Sequence, residues 1–284
     1  MTPQTTTPFP LTWLYVPGDR PEVVAKGLAS GADVVIVDLE DAVAPDRKDY
    51  ARSATAELLS APPPVPVHVR VNALNTPHAE EDLSTLSPLP GLTALRLPKI
   101  TSPAEVVGVA ERTAPAEGGA IPLYALLESA LGVERAYDIA TAHRALHGIA
   151  LGETDLRADL AVLHDPALDW PRSRVILAAR AAGLPSPAQS IYPDTKDLEG
   201  LAISSTRGRA LGFLGRTAIH PRQLPVIERA YAPTPQEIES AEEIVKAATA
   251  TPGAQALPDG RFIDPAVVAS AHRTLSLANR PTRH

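Results

Sequence analysis

The run GIALGETDLRADL, residues 148–160, ends an apolar stretch at a glycine and then delivers Glu153, Asp155 and Asp159 in quick succession. A similar placement occurs in LYALLESALG, where Glu128 closes another apolar run. Carboxylates held side by side repel unless a cation joins them or one keeps its proton. The chain has no cysteine and no clear histidine pair; His143 and His147 have helical ligand spacing, but His147 reads as the start of a strand. Hard oxygen ligands of this kind favour Mg2+, which takes one or two carboxylates and leaves positions for water and substrate oxygens. Asp155 has a plainer reading as a cap for the helix after it, whereas Glu128 is harder to explain as structure. Arg70 closes the otherwise apolar VHVRVN, and its plain reading is a salt bridge to Asp38 or Glu40 in the acidic run Asp38-Leu39-Glu40-Asp41. Lys99, in LPK, opens a rival chemistry, a Schiff base with a carbonyl substrate.

Residues so scattered need a scaffold that gathers them. Short aliphatic and β-branched runs at 11–16, 32–37, 65–71, 92–97, 121–127, 147–151, 188–192 and 213–219 alternate with segments whose apolar positions recur every three to four residues. Ser102-Pro103 with Glu105 and Thr234-Pro235 with Glu237 carry helix-start signals. Eight such units predict a (β/α)8 TIM barrel, and the competing open doubly wound sheet lacks its GxGxxG after the first strand. All strands of such a barrel point one way, and its site forms at their C-terminal ends. Those ends carry Asp19 and Arg20, Asp38 to Asp41, Arg70 and Asn72, Lys99, Glu128, Asp155, and Arg216 with His220. Acids after strands five and six then sit side by side at the mouth. The expected domains are a flexible tail over 1–10, a catalytic barrel over 11–232 and a C-terminal helical extension over 233–284. In the last, 234–250 and 264–277 read as helices and 251–260 as a loop.

The 284 residues, 44% hydrophobic and 21% charged, suffice for a large core without staples. A net charge of −7 with scattered Lys and Arg disfavours nucleic acid. The first ten residues do not read as a signal peptide and no apolar run is long enough to span a membrane, so a cytoplasmic location is expected.

Six separated motifs then agree in order: LYVPGDRPEVVAKGLASGADVVIVDLEDAVAPDRK, VRVN, LPK, LLESALGVE, GETDLRAD and GRTAIHP. Together they resemble the citrate lyase β-subunit (CitE-like) family, related to malyl-CoA and citramalyl-CoA lyases, over residues 11–229. GRFIDPAVV in the C-terminal arm is a looser match. The resemblance implies a barrel that is usually a homotrimer or a dimer of trimers, and an Mg2+-dependent carbon–carbon lyase acting on acyl-CoA or related thioesters of 3-hydroxy acids. The family's metal-binding glutamate and aspartate match Glu128 and Asp155, and its strand-three arginine matches Arg70. An arm aspartate that reaches a neighbouring subunit in the relatives matches Asp264. There are departures: Thr154 precedes Asp155 where a second acid is frequent, Arg216 replaces a lysine, and Ser129 stands where threonine is frequent.

The expected reaction is a retro-Claisen cleavage of a citryl-CoA-like 3-hydroxyacyl thioester to an acetyl thioester and oxaloacetate. Glu128 and Asp155 hold Mg2+ and thereby the hydroxy-acid portion, Arg70 receives the enolate charge, and Asp264 exchanges the proton at the enolate carbon. Arg20, Lys26 and Arg216 are the expected cations for the coenzyme A phosphates. Open alternatives are citramalyl-CoA or malyl-CoA lysis, a malate-synthase-like condensation, a class II aldolase for a free hydroxy-oxo acid, and a non-catalytic scaffold subunit. An α subunit and an acyl-carrier subunit are possible partners.

Overall fold

A computed structural model describes residues 10–114, 119–250, 254–257 and 259–280. The chain folds as two compact units, Pro10–Ala230 and the part from Tyr231 onward. Residues 1–9 of the expected tail lie outside the described residues.

The first unit holds seven parallel strands: β1 (Thr12–Pro17), β2 (Val34–Asp38), β3 (Val67–Arg70), β4 (Ala94–Leu97), β5 (Leu123–Leu127), β6 (Leu146–Leu151) and β7 (Arg216–Ala218), in the order β6-β5-β4-β3-β2-β1-β7. Each strand to β6 pairs with its predecessor in sequence, and β7 returns to β1 through Thr12↔Arg216, as in the closure of a TIM-type barrel. Helices separate them: α1 (Pro21–Leu28), α2 (Lys48–Leu59), α3 (Pro77–Leu86), α4 (Pro103–Arg112), α5 (Ala130–Glu134), α6 (Ala136–Ala140), α7 (Glu153–Asp159), α8 (Asp169–Ala181), α9 (Leu198–Leu211) and α10 (Leu224–Tyr231). The expected strand at 188–192 is a correction: it makes only the isolated parallel bridge Gln189↔Arg216. Pro185, Pro187 and Pro193 lack the N–H groups a longer ladder needs, so the segment keeps a strand's place with a short ladder only: the Gln189 N–H donates to Gly215 O, and Pro187 O and Gln189 O accept the N–H groups of Leu214 and Thr217.

The core follows from the strand sequences. VVIVD of β2 is buried throughout, as a sheet covered on both faces requires. Inside the barrel, Trp13, His68 and Tyr124 meet edge-on or tilted with ring centroids 4.9–6.1 Å apart. The α4 start signal forms as expected, with Ser102 and Glu105 in a reciprocal capping box.

The second unit contains α11 (Pro235–Ala250) and α12 (Pro265–Ala278), packed on each other, with β8 (Gln255–Ala256) and β9 (Phe262–Ile263) between them in sequence. The Thr234–Glu237 capping pair closes in both directions, at 2.7 and 3.2 Å. The expected loop over 251–260 is corrected where described: Gln255 and Ala256 pair antiparallel with Ile263 and Phe262. Residues 251–253 and 258 lie outside the described residues.

Candidate active site

The acidic run after β2 is spent on cations. Asp38 grips Arg70 bidentately, at 2.7 and 2.6 Å, and also accepts the N–H groups of Glu40 and Ala42. Glu40 takes the third Arg70 nitrogen at 3.0 Å and Lys99 Nζ at 2.6 Å, and Asp41 lies 3.3 Å from the same ammonium. The plain reading of Arg70 therefore holds, and it does not remove Arg70 from the site, because the residue lines the cavity at the barrel mouth. Burial opposes the Arg70 charge, but the hydrogen bonds and charge of Asp38 outweigh it and hold the proton more firmly than usual.

Lys99 is likewise more firmly protonated than an ordinary lysine: burial opposes the charge, and Glu40 and Asp41 overcome it. That is the reverse of what a Schiff-base lysine needs. Its backbone has φ +55°, left-handed and strained for a non-glycine residue. The twist turns its N–H toward Glu128 Oε2, at 3.1 Å.

Glu128 follows β5 almost fully buried, and among the described residues that N–H is its one hydrogen-bond partner. Burial, then the charge of Glu40, lifts its carboxyl to about 8, with Asp155 adding to the rise and Arg70 opposing it. The residue packs over Gly152, where a Cβ would lie 2.3 Å from Glu128 Cγ and 2.5 Å from Oε1. Only glycine permits this approach.

The three acids of GETDLRAD part company. Glu153 is buried in a double hydrogen bond with Arg172, at 2.9 and 2.7 Å, and its own N–H meets Ser190 Oγ. Asp159 accepts the Ala130 N–H at 2.7 Å and so caps α5 from a distance. Asp155 does neither. It sits in the first turn of α7 without capping it, lines the cavity with Glu128, and has no hydrogen-bond or ion-pair partner among the described residues. The capping reading of Asp155 is thus not realised.

The cavity measures about 700 Å3 including its open mouth, and Arg70, Glu128 and Asp155 all line it. Two oxygen-donor acids with no ion-pair partner among the described residues, one of them keeping its proton because it is buried, are what a hard divalent ion would satisfy, so this donor set fits Mg2+. In the three-residue grouping Asp49, His78 and Glu81 the two acids are exposed and His78 half-buried, and Arg52 already sits 3.1 Å from Asp49 and 2.8 Å from Glu81.

The remaining expected residues fall elsewhere. Arg216 is corrected as a phosphate ligand. It is buried and donates to Ser190 O, Ile191 O, Ser204 Oγ and Ser205 Oγ, tying the segment at 188–192 to α9. Arg20 is exposed just before α1, while Lys26 lies in the last turn of α1 and not at its start, away from the anion-attracting end. Asp264 caps α12 in its own unit by accepting the Val267 N–H at 2.9 Å. Sequence reasoning missed Arg96, which lines the same cavity, although a lone arginine inside the apolar TALRLP was a visible signal.

The HpcH/HpaI aldolase/citrate lyase family model matches residues 11–221, and a model described as a carbon–carbon bond lyase of the TIM-barrel fold matches 183–266. The chain is 33% identical to citrate lyase subunit beta of Leuconostoc mesenteroides over 94% of this chain and 93% of that one. It is 34% identical to (3S)-malyl-CoA thioesterase of Cereibacter sphaeroides, covering 93% of each. Among solved structures, CitE from Mycobacterium tuberculosis in complex with magnesium, acetoacetate and coenzyme A superposes with a TM-score of 0.80 at 34% identity, covering 96% of this chain and 99% of that one. The citrate lyase beta subunit of the same organism, complexed with oxaloacetate and magnesium, gives 0.67 at 35%, covering 79% and 97%. Fold and relatives together define a carbon–carbon lyase of the TIM-barrel class. The chain belongs to the HpcH/HpaI aldolase/citrate lyase family.

Proposed function

We propose that this lyase cleaves a citryl-CoA-like 3-hydroxyacyl thioester to an acetyl thioester and oxaloacetate by retro-Claisen chemistry that depends on Mg2+. The observation that carries it is the pair Glu128 and Asp155, with no ion-pair partner among the described residues, in one cavity with a permanently charged Arg70. The M. tuberculosis relatives crystallised with magnesium and keto acids support the same reading.

In this mechanism Glu128 and Asp155 hold the ion. When bound, it supplies Lewis acidity to the substrate oxygen that becomes the ketone. As the hydroxyl becomes the ketone its proton passes to solvent at the open cavity mouth, and the broken C–C bond leaves its electron pair on the acetyl thioester as an enolate. Arg70, kept charged and fixed in direction by Asp38 and Glu40, faces that oxygen. Lys99 neutralises the Glu40 and Asp41 charge beside it and steers Glu128 through its N–H. Asp264, from the arm of a neighbouring copy in a trimer, delivers the proton to the enolate carbon. Exposed Arg20 and Lys26 serve the coenzyme A phosphates, Arg20 as the better placed.

The thioesterase relatives make hydrolysis of the thioester the second reading. A panel of citryl, citramalyl and malyl thioesters, assayed with and without EDTA and followed by borohydride treatment, separates the possibilities. The lyase reading expects a keto acid and an acetyl thioester, loss of turnover in EDTA, and no trapping. Free hydroxy acid with intact carbon skeleton would favour hydrolysis. EDTA-resistant turnover with label on Lys99 would replace the mechanism by a Schiff-base aldolase.

A further inference from the structure

The cavity has a second guanidinium that the mechanism does not use. Arg96, on β4, stands in register with Arg70 of β3 and Tyr124 of β5, and it lines the cavity although it is 98% buried, at 2% exposure. The two arginines differ in one respect. Arg70 is neutralised by Asp38 and Glu40, whereas among the described residues no carboxylate pairs with Arg96 and its Nε has no hydrogen-bond partner. Its surroundings are aromatic: the guanidinium carbon lies 4.7 Å from the Trp13 ring centroid and 5.3 Å from that of Tyr124, with Tyr15 as a hydrogen-bond neighbour. His68, against the Trp13 and Tyr124 rings, is kept neutral by burial and by Arg96 itself. Aromatic faces offset part of the cost of burying this charge but supply no counter-charge. A buried cation on a cavity wall, with no anion beside it among the described residues, is an anion subsite.

We propose that Arg96 is a specificity-determining residue that receives a second carboxylate on the keto-acid half of the substrate. This rests on the lyase reading and sharpens it. The ion that Glu128 and Asp155 would hold would engage the carboxylate next to the carbonyl, which leaves Arg96 for a carboxylate further along. The substrate class is then a hydroxyacyl thioester whose released keto acid is a dicarboxylate such as oxaloacetate, in preference to a monocarboxylate such as pyruvate.

Trp13 stacks on Arg96 and reports its occupancy. With Trp170, which is exposed, changed to Phe, Trp13 is the sole indole, and stopped-flow fluorescence in Mg2+ measures freshly dissolved oxaloacetate and pyruvate within seconds. The unsubstituted site should bind oxaloacetate roughly 10- to 100-fold more tightly than pyruvate, the span expected of one charge-assisted contact. Arg96→Met should remove that ratio and leave pyruvate affinity unchanged, and Arg96→Lys should keep part of it. If the Met variant fails to fold by circular dichroism, Arg96→Gln takes its place with the same expectation. A ratio that survives loss of the charge, or a starting ratio near one with pyruvate bound, overturns the Arg96 assignment and leaves the lyase reading standing. Failure of both keto acids to bind removes the lyase reading and this assignment with it.

Discussion

Glu128→Gln in the metal-free protein tests the electrostatic core of the site. The side chain is almost fully buried, and its carboxyl is raised from 4.5 to about 8 by burial and by the Glu40 charge. Because the folded value lies above the unfolded one, the native chain holds a proton between those pH values that the unfolded chain has released. Its stability therefore falls as pH rises through that window and levels off above it. Each pH unit is worth about 1.36 kcal/mol, so the ionisable side chain costs about 3 kcal/mol at pH 7 and about 5 kcal/mol by pH 9. Glutamine keeps the shape and can still accept the Lys99 N–H, but it never ionises. In EDTA, Glu128→Gln should melt roughly 5–10 °C above the unsubstituted protein at pH 7, with the gap nearly closed at pH 4.5. Added Mg2+ should stabilise the unsubstituted protein, by favouring the charged carboxylate, and leave the variant unmoved. Melting curves across pH 4.5–9, with EDTA and with Mg2+, supply the comparison. A gap independent of pH, or a variant less stable than its parent at pH 9, would refute the reasoning.

Other expectations follow from the same geometry. Gly152→Ala places a methyl 2.3 Å from Glu128 Cγ, so it should weaken Mg2+ binding at least tenfold in calorimetry while far-ultraviolet dichroism stays native. Arg70→Ala should cut kcat by about 10²–10³ and also destabilise the fold by about 3–5 kcal/mol, because buried Asp38 loses its ion-pair partner and Glu40 keeps only Lys99; Arg70→Lys should recover most of the stability and little of the rate, read from melts and turnover together. Asp264→Asn, which can still cap α12, should abolish exchange of the thioester methyl protons with solvent; exchange at the original rate would clear Asp264 of the proton transfer.

The periodic parts of the fold were legible in the sequence, because apolar runs and capping pairs encode strands and helix starts locally. Seven of the eight expected strands form the sheet, and both Pro-led capping boxes close. The segment at 188–192 misled because an apolar run signals burial, while its flanking prolines decide how far a ladder can run. At the site, GETDLRAD announced a cluster of acids but not which one stays unpaired. That choice depends on Arg172, nineteen residues beyond Glu153, and on the α5 terminus that Asp159 caps. Arg216 was misjudged for the same reason, since its acceptors are carbonyls and hydroxyls that only the folded chain brings to it. Arg96 was overlooked because attention to strand ends passes over a charge inside a strand.

The central claim is that Glu128 and Asp155, and not their acidic neighbours, hold one divalent cation. Titrating Mn2+ into the metal-free protein under electron paramagnetic resonance, with Glu128→Gln, Asp155→Asn and Asp159→Asn alongside, tests it directly. One bound ion per chain, lost in the first two variants and kept in the third, is the predicted result. Undiminished Mn2+ binding in Asp155→Asn, or its loss in Asp159→Asn alone, would contradict the account.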